Sequence, residues 1–296
     1  MASRLARTMS RSKAGRSGTA RDGDPLAAHG RSDRTRFALA AAMLPQRWRL
    51  RADAAFQRGE NAVLYGLAAG LRFPARATPP SHAHARLILV GHLDVPVQEA
   101  LRRTVPPGGV VYDVGANVGF FTVLAARLVG DAGHVVAFEP IAAAANLARE
   151  AALRSDLADR VEVRTDAVGA RSGTARMCSV AAGGIWSHMS TVRDPHPLTI
   201  EEVDVPLVSL DDVIAAGAPA PDVVKLDVEG AEGDVLRGAQ RLLAEHRPII
   251  VCELHDTNDE VADLLEAAGY VLEALDGATP VRQAGPSHVL ARPGPT

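Results

Sequence analysis

The chain has 296 residues, 47% hydrophobic and 23% charged, with a formal net charge of −3, which suits a folded globular protein of one large domain plus an extension, or at most two domains. No run approaches the roughly 18 apolar residues of a membrane span, and the small net charge gives no reason to expect a nucleic-acid partner. Cys178 and Cys252 both lie outside CxxC or CxxH contexts, so neither a disulfide framework nor a zinc site is expected and the cytoplasm is the natural compartment.

The first 36 residues carry eight Arg and one Lys against three Asp, a balance of +6 that leaves −9 on the remainder. Rich in Arg, Ser, Gly and Ala and without hydrophobic periodicity, this stretch reads as a disordered basic tail. Residues 37–84 form an extension: Ala-rich and helical to about residue 70, then a Pro-containing linker from residue 74 to 81. A short strand is expected over residues 86–90 and a short helix over 97–103.

From there the pattern is regular. Strands are expected at residues 110–114, 134–138, 161–164, 223–228 and 249–254, with helices at 119–128, 142–153, 210–216, 231–245 and 260–268. Two final strands at 270–275 and 288–291, with a turn-rich stretch between them, read as an antiparallel hairpin at one edge. Strands alternating with helices imply a mostly parallel sheet covered on both faces. Residues 175–205 are less regular; the part from 178 to 197 mixes Trp186, Ser187, His188 and Met189, which suits a substrate lid and equally an ordinary irregular loop with a buried Trp.

Three features point to a nucleotide-type ligand. The strand Val111-Tyr112-Asp113-Val114 runs into Gly115-Ala116-Asn117-Val118-Gly119 and then a helix. Gly115 and Gly119 permit a sharp turn, and the helix N-terminus beyond suits an anionic group. A dinucleotide turn places a second glycine where Asn117 stands, and an acidic residue such as Asp113 suits a ligand bearing an amino group. Glu139 closes the next strand, where a carboxylate can accept both hydroxyls of a ribose. Asp166 follows the third strand, within reach of an adenine amino group.

The chain resembles the FkbM-type methyltransferases. The likeness rests on Asp113-Val114-Gly115-Ala116-Asn117-Val118-Gly119, on Phe138-Glu139-Pro140, and on Lys225-Leu226-Asp227-Val228-Glu229-Gly230-Ala231-Glu232, with Glu253-Leu254-His255 also fitting, and it covers roughly residues 85–293. It implies a class I methyltransferase Rossmann-like α/β fold, with a mostly parallel seven-stranded sheet and an antiparallel edge strand, from residue 85 to 296. It also implies S-adenosylmethionine as donor and usually O-methylation of a small molecule or sugar; Asp113, Gly115, Asn117, Gly119, Glu139 and Asp166, read above as the nucleotide-type site, are then the residues expected to bind that donor. Ile141 stands where the family often carries a second Pro.

The second constellation concerns the chemistry. Alternation along a strand puts Lys225, Asp227 and Glu229 on one face, a costly arrangement unless the charges pair. Lys225 is one of just two lysines against thirty arginines, which marks it for a specific role. Glu253 and His255 repeat the spacing on the next strand, at the same carboxyl edge. Methyl transfer to an alcohol needs alignment and a general base; His255 has the most suitable ordinary pKa, with Asp227 or Glu229 able to serve if burial raises theirs. Asp227, Glu229, Glu253 and His255 also offer a divalent-cation set, a reading not favoured over metal-free chemistry. Glu232 is adequately explained as a first-turn carboxylate. The rival readings are an NAD-dependent oxidoreductase or epimerase and a non-catalytic nucleotide-binding protein on the same fold.

Overall fold

Seven strands hydrogen-bond into one sheet in the computed structural model, which describes residues 44–57, 61–77, 83–179, 187–189, 201–276, 280–283 and 288–295. The basic tail and most of the expected lid lie outside the described residues. In chain order the elements before the regular alternation are α1 (Gln46–Gln57), α2 (Ala83–Val90) and α3 (Val95–Thr104). The regular alternation follows with β1 (Val110–Val114), α4 (Phe120–Val129), β2 (His134–Phe138), α5 (Ala142–Arg154) and β3 (Val161–Arg164). After β4 (Ala167–Val168), β5 (Gly173–Ser179), β6 (Ser187–Met189) and β7 (Glu201–Val208) come α6 (Leu210–Ala215), β8 (Val223–Leu226) and α7 (Glu232–Arg237). The chain closes with β9 (Ile249–Glu253), α8 (Asn258–Ala267), β10 (Tyr270–Ala274) and β11 (His288–Pro293).

The large sheet has the order β10-β11-β9-β8-β1-β2-β3. Its neighbours pair in parallel except β11, which runs antiparallel between β10 and β9. The chain moves outward from β1 in one direction through β2 and β3, then returns to the other side through β8. The crevice beyond the carboxyl ends of β1 and β8 is therefore the switch point at which such sheets bind ligands. Alternation along β1 divides the core: Val111 joins the apolar cluster on one face, with Leu87 and Leu124, while Tyr112 and Val114 join the other, with Leu226 and Leu236.

Several sequence expectations change. Residues 86–90 belong to helix α2, not a strand; the four-residue apolar run from Leu87 to Val90 fits either state, and its Ala-containing flank with Gly91 at φ 68 closing it decides for the helix. The long helix expected to residue 70 is confined in the described residues to α1, and Ala62 instead bridges Arg72. The helix expected over 231–245 is broken at Gly238, where a Cβ would sit 2.1 Å from the Gly169 carbonyl oxygen; a π-helical turn, Leu242–His246, follows. The irregular region 175–205 contributes β5, β6 and β7 to a second, four-stranded sheet of order β4-β7-β5-β6. Exposed Thr174, Arg176, Glu202 and Asp204 interrupt β5 and β7, so the periodicity that flags a buried strand is weak there.

Candidate active site

The glycine turn is built by its own chain. Asp113 lies directly opposite Lys225 in the β1–β8 register, and its Oδ1 is 3.2 Å from Lys225 Nζ. Thr122 Oγ1 donates to its Oδ2 at 2.6 Å. Lys225 Nζ also donates to the Gly115 carbonyl at 3.0 Å and reaches Asp227 Oδ2 at 3.4 Å. Three acceptors match the three donors of a compact ammonium, and a planar guanidinium could not serve all three. Burial alone would lower the Lys225 pKa, but Asp113 and Asp227 more than offset that and hold it above its ordinary value.

Lys225 thus supplies the pairing that charges at this sheet edge require. Asp113 is 1% exposed and lines neither cavity described below, and its carboxylate is engaged by Lys225 and Thr122. Lys225 is a clamp on the turn. The two glycines likewise meet protein: a Cβ on Gly115 (φ 81) would lie 1.8 Å from the Asp227 carbonyl oxygen, and one on Gly119 (φ 87) 2.8 Å from Ala148. Asn117 sits at φ 51, the left-handed region that Asn tolerates better than most side chains.

Glu139, at the end of β2, accepts the Asn117 amide with Oε2 and the Ile141 amide with Oε1, both at 2.9 Å. Burial raises its pKa to about 7 against the pull of those two amides. Asp166 is paired with Arg164 at 2.8 Å. These residues edge an open cavity of about 650 Å³ whose walls include Gly115, Asn117, Glu139 and Asp166 with apolar Phe138, Val168, Met177 and Val228. A carboxylate at one end and a flat apolar slot along the side suit a nucleoside.

A second cavity of about 580 Å³ adjoins it. Gly115, Asn117, Asp227 and Glu229 line both and form the common wall. Its far side comes from His84, Leu93 and Asp94, which precede the regular α/β alternation, and from Phe120 and Phe121, Lys225, Glu253 and His255. No sequence signal marked His84, Leu93 or Asp94, because nothing local says which part of the sheet edge the preceding segment covers.

The carboxylates converge on His255. β8 ends at Leu226, so Asp227 and Glu229 are brought together by a turn, with Glu229 at φ 54 and Gly230 at φ 99, and not by strand alternation. His255 Nε2 is 3.9 Å from Asp227, 3.7 Å from Glu229 and 3.9 Å from Glu253. Its Nδ1 is 2.9 Å from Glu232 Oε1. Glu232 is fully buried and also accepts from the Gly230 amide and Thr257 Oγ1. Burial opposes its ionisation, yet these bonds hold its pKa below the ordinary value. A first-turn position does not account for Glu232, which fixes the imidazole.

Burial would lower the His255 pKa, but Glu229, Glu232 and Glu253 outweigh it and push the value well above that of a free histidine. Asp227 moves upward, because burial outweighs the attraction of Lys225. Asp227, Glu229 and His255 lie close enough to share a cation, as do Asp94, Glu253 and His288. Among the described residues, no helix is long and apolar enough to cross a membrane.

The profile of the FkbM methyltransferase domain matches residues 113–272. The chain belongs to the FkbM methyltransferase family. The matched span runs from the strand that opens the glycine turn to β10, and so contains Asp227, Glu229, Glu253 and His255 but neither Asp94 nor His288. The chain is 31% identical over 195 residues to the 31-O-demethyl-FK506 methyltransferase FkbM of Streptomyces tacrolimicus, covering 57% of this chain and 75% of that protein. It is 33% identical over 206 residues to the AMB antimetabolite synthetase AmbE of Pseudomonas aeruginosa, covering 56% of this chain but 10% of that much longer one. A crystal structure of the methyltransferase FkbM from Methylobacillus flagellatus KT aligns with a TM-score of 0.43 at 16% identity, over 81% of this chain and 59% of that one. The sheet order with its antiparallel β11 is the class I methyltransferase arrangement expected of this FkbM-family chain.

Proposed function

We propose that this FkbM-family protein transfers a methyl group from S-adenosylmethionine to a hydroxyl of a small natural product or sugar. The observation that carries the reading is the wall of Gly115, Asn117, Asp227 and Glu229 shared by two adjoining cavities. One cavity suits a nucleoside, and the other presents acid–base groups to an acceptor. The residues of the first fit the donor: Glu139 stands where ribose hydroxyls would be held, Asp166 near the adenine edge, and Phe138, Val168 and Met177 along the apolar slot.

The bound donor supplies a methyl group already activated on a sulfonium centre. The protein's own task is then to align the acceptor and take its proton. His255 is held protonated by its carboxylate neighbours, so it steadies Asp227 and Glu229 instead of acting as the base. Asp227, with its raised pKa and its place on the shared wall, accepts the acceptor proton. A carboxylate raised by burial is the better base.

Calorimetric titration should show binding of S-adenosylmethionine and not of NAD; the reverse would restore the oxidoreductase reading. Incubation with the donor and a panel of hydroxylated acceptors should yield products one methyl heavier. Asp227→Asn should lower kcat by at least about 100-fold, the scale of a lost general base, with donor affinity changed little. Undiminished turnover in that variant removes the assignment of Asp227.

A further inference from the structure

Behind Glu253 lies a second titratable cluster that the methyl-transfer reading leaves unused. Asp94 comes from the turn before α3, Glu253 from the end of β9, and His288 from the start of β11. His288 and Glu253 are direct partners in the antiparallel register, which brings their side chains together on one face of the sheet. His288 Nε2 is 3.4 Å from Glu253 Oε2 and 3.8 Å from Asp94 Oδ1.

We propose that Asp94, Glu253 and His288 bind one divalent transition-metal ion. The imidazole is 5% exposed, and its Nε2 faces the Glu253 and Asp94 carboxylates without a hydrogen bond of ordinary geometry; the surrounding carboxylates raise the ring's pKa to about 10, so an ion binds here by displacing its proton. A protonated ring nitrogen sharing its proton with a carboxylate sits about 2.7–2.9 Å from it; the two contacts here are longer. Ligand atoms on a tetrahedral ion with bonds of about 2.0–2.2 Å stand roughly 3.3–3.6 Å apart; the Glu253 contact at 3.4 Å falls in that range, the Asp94 contact at 3.8 Å lies just outside it, and the three ligand atoms all lie within 4.8 Å of one another. One imidazole with two carboxylates is a nitrogen–oxygen set suited to zinc or manganese.

The surroundings support the same reading. Asp276 Oδ2 accepts the His288 backbone amide at 3.2 Å and lies 3.8 Å from His288 Nδ1, so a carboxylate faces the ring on the side away from the ion, beyond hydrogen-bond distance. The neighbouring group around His255 has similar spacing, but there Lys225 already reaches Asp227 at 3.4 Å, and a second cation would be opposed. Asp94 and Glu253 also line the second cavity, so an open coordination position faces it. An ion here would tie the segment before α3 to β9 and β11.

The proposal does not rest on the donor or acceptor assignments and is tested without turnover. The full chain, stripped with a chelator, is titrated with Mn²⁺, and free Mn²⁺ is read by electron paramagnetic resonance. We expect one Mn²⁺ per chain, held at least about tenfold more weakly in Asp94→Asn and in His288→Gln and unchanged in Asp227→Asn. Asn accepts the left-handed backbone of Asp94 (φ 38), so Asp94→Asn keeps the fold even if His288→Gln does not; thermal melts confirm this. No binding below about 1 mM, unaltered binding in Asp94→Asn, or loss on Asp227→Asn with retention in His288→Gln overturns the site.

Discussion

Lys225 shows how one side chain organises a site: it clamps the glycine turn and also lines the second cavity. It neutralises Asp113, which is otherwise a buried carboxylate with one hydroxyl donor. Removing one partner of such a pair costs far more than the pair is worth, about 3–5 kcal/mol. Lys225→Met should therefore lower unfolding stability by that amount in denaturant titration, and adding Asp113→Asn should recover part of the loss. A cost no greater than that of an exposed substitution would show that the clamp is not needed. Glu139 gives a pH signature. Its pKa is about 7 in the fold against 4.5 as a free side chain. The folded chain then binds the extra proton, so this contribution is complete below about pH 4.5 and is lost as pH rises through about 7. The difference corresponds to roughly 3 kcal/mol. The wild-type melting temperature should fall over that window relative to Glu139→Gln, and parallel curves would contradict the shift. The same buried carboxylate should matter to the donor: Glu139→Ala should weaken S-adenosylmethionine binding by at least about tenfold, measured calorimetrically.

At the scale of elements, glycines act as contacts more than as hinges. Gly115 lets the end of β1 press against the Asp227 carbonyl, which fixes how near the turn after β8 comes to the glycine turn. Gly115→Ala combines a positive φ of 81 with a Cβ at 1.8 Å from backbone oxygen, so more than about 2 kcal/mol of destabilisation is expected. Circular dichroism in urea measures it, and a loss below about 0.5 kcal/mol would contradict the close packing. The residues of this turn were legible in sequence because Gly and Asp at that spacing follow an apolar strand. Their contacts were not, since both glycines face segments more than 25 residues away. α2 was misread for a related reason: Leu87 to Val90 is apolar enough for either state, and packing of Leu87 and Ile88 into the core settles it.

Across the whole molecule, the segment before β1 is not a separable arm. Leu71, Phe73 and Leu87 belong to the same apolar cluster as Leu124 and Val223, and the Phe73 and Phe120 rings stack with centroids 6.0 Å apart. The boundary drawn from sequence near residue 84 follows a change in pattern, not a gap in the core. Phe73→Ala should cost about 3–5 kcal/mol, and calorimetry of the wild type should show one transition. Two resolved transitions would mean that the extension folds independently. The same packing carries His84, Leu93 and Asp94 to the wall of the second cavity.

The sequence by itself determined the α/β alternation, the glycine turn, Glu139 and Asp166 at successive strand ends, and the concentration of charge from Lys225 to Glu232, because each is written in local periodicity and spacing. The tertiary structure decided which of those charges line a cavity and which are paired within the protein. Strand register set Asp113 against Lys225, and a turn of positive φ delivered Glu229 to His255. Glu232, mute in sequence, became the group that fixes the imidazole. Local pattern fixes which residues reach a strand end; only the packing of distant strands fixes which partner neutralises each charge there, and that choice separates a clamp from a base.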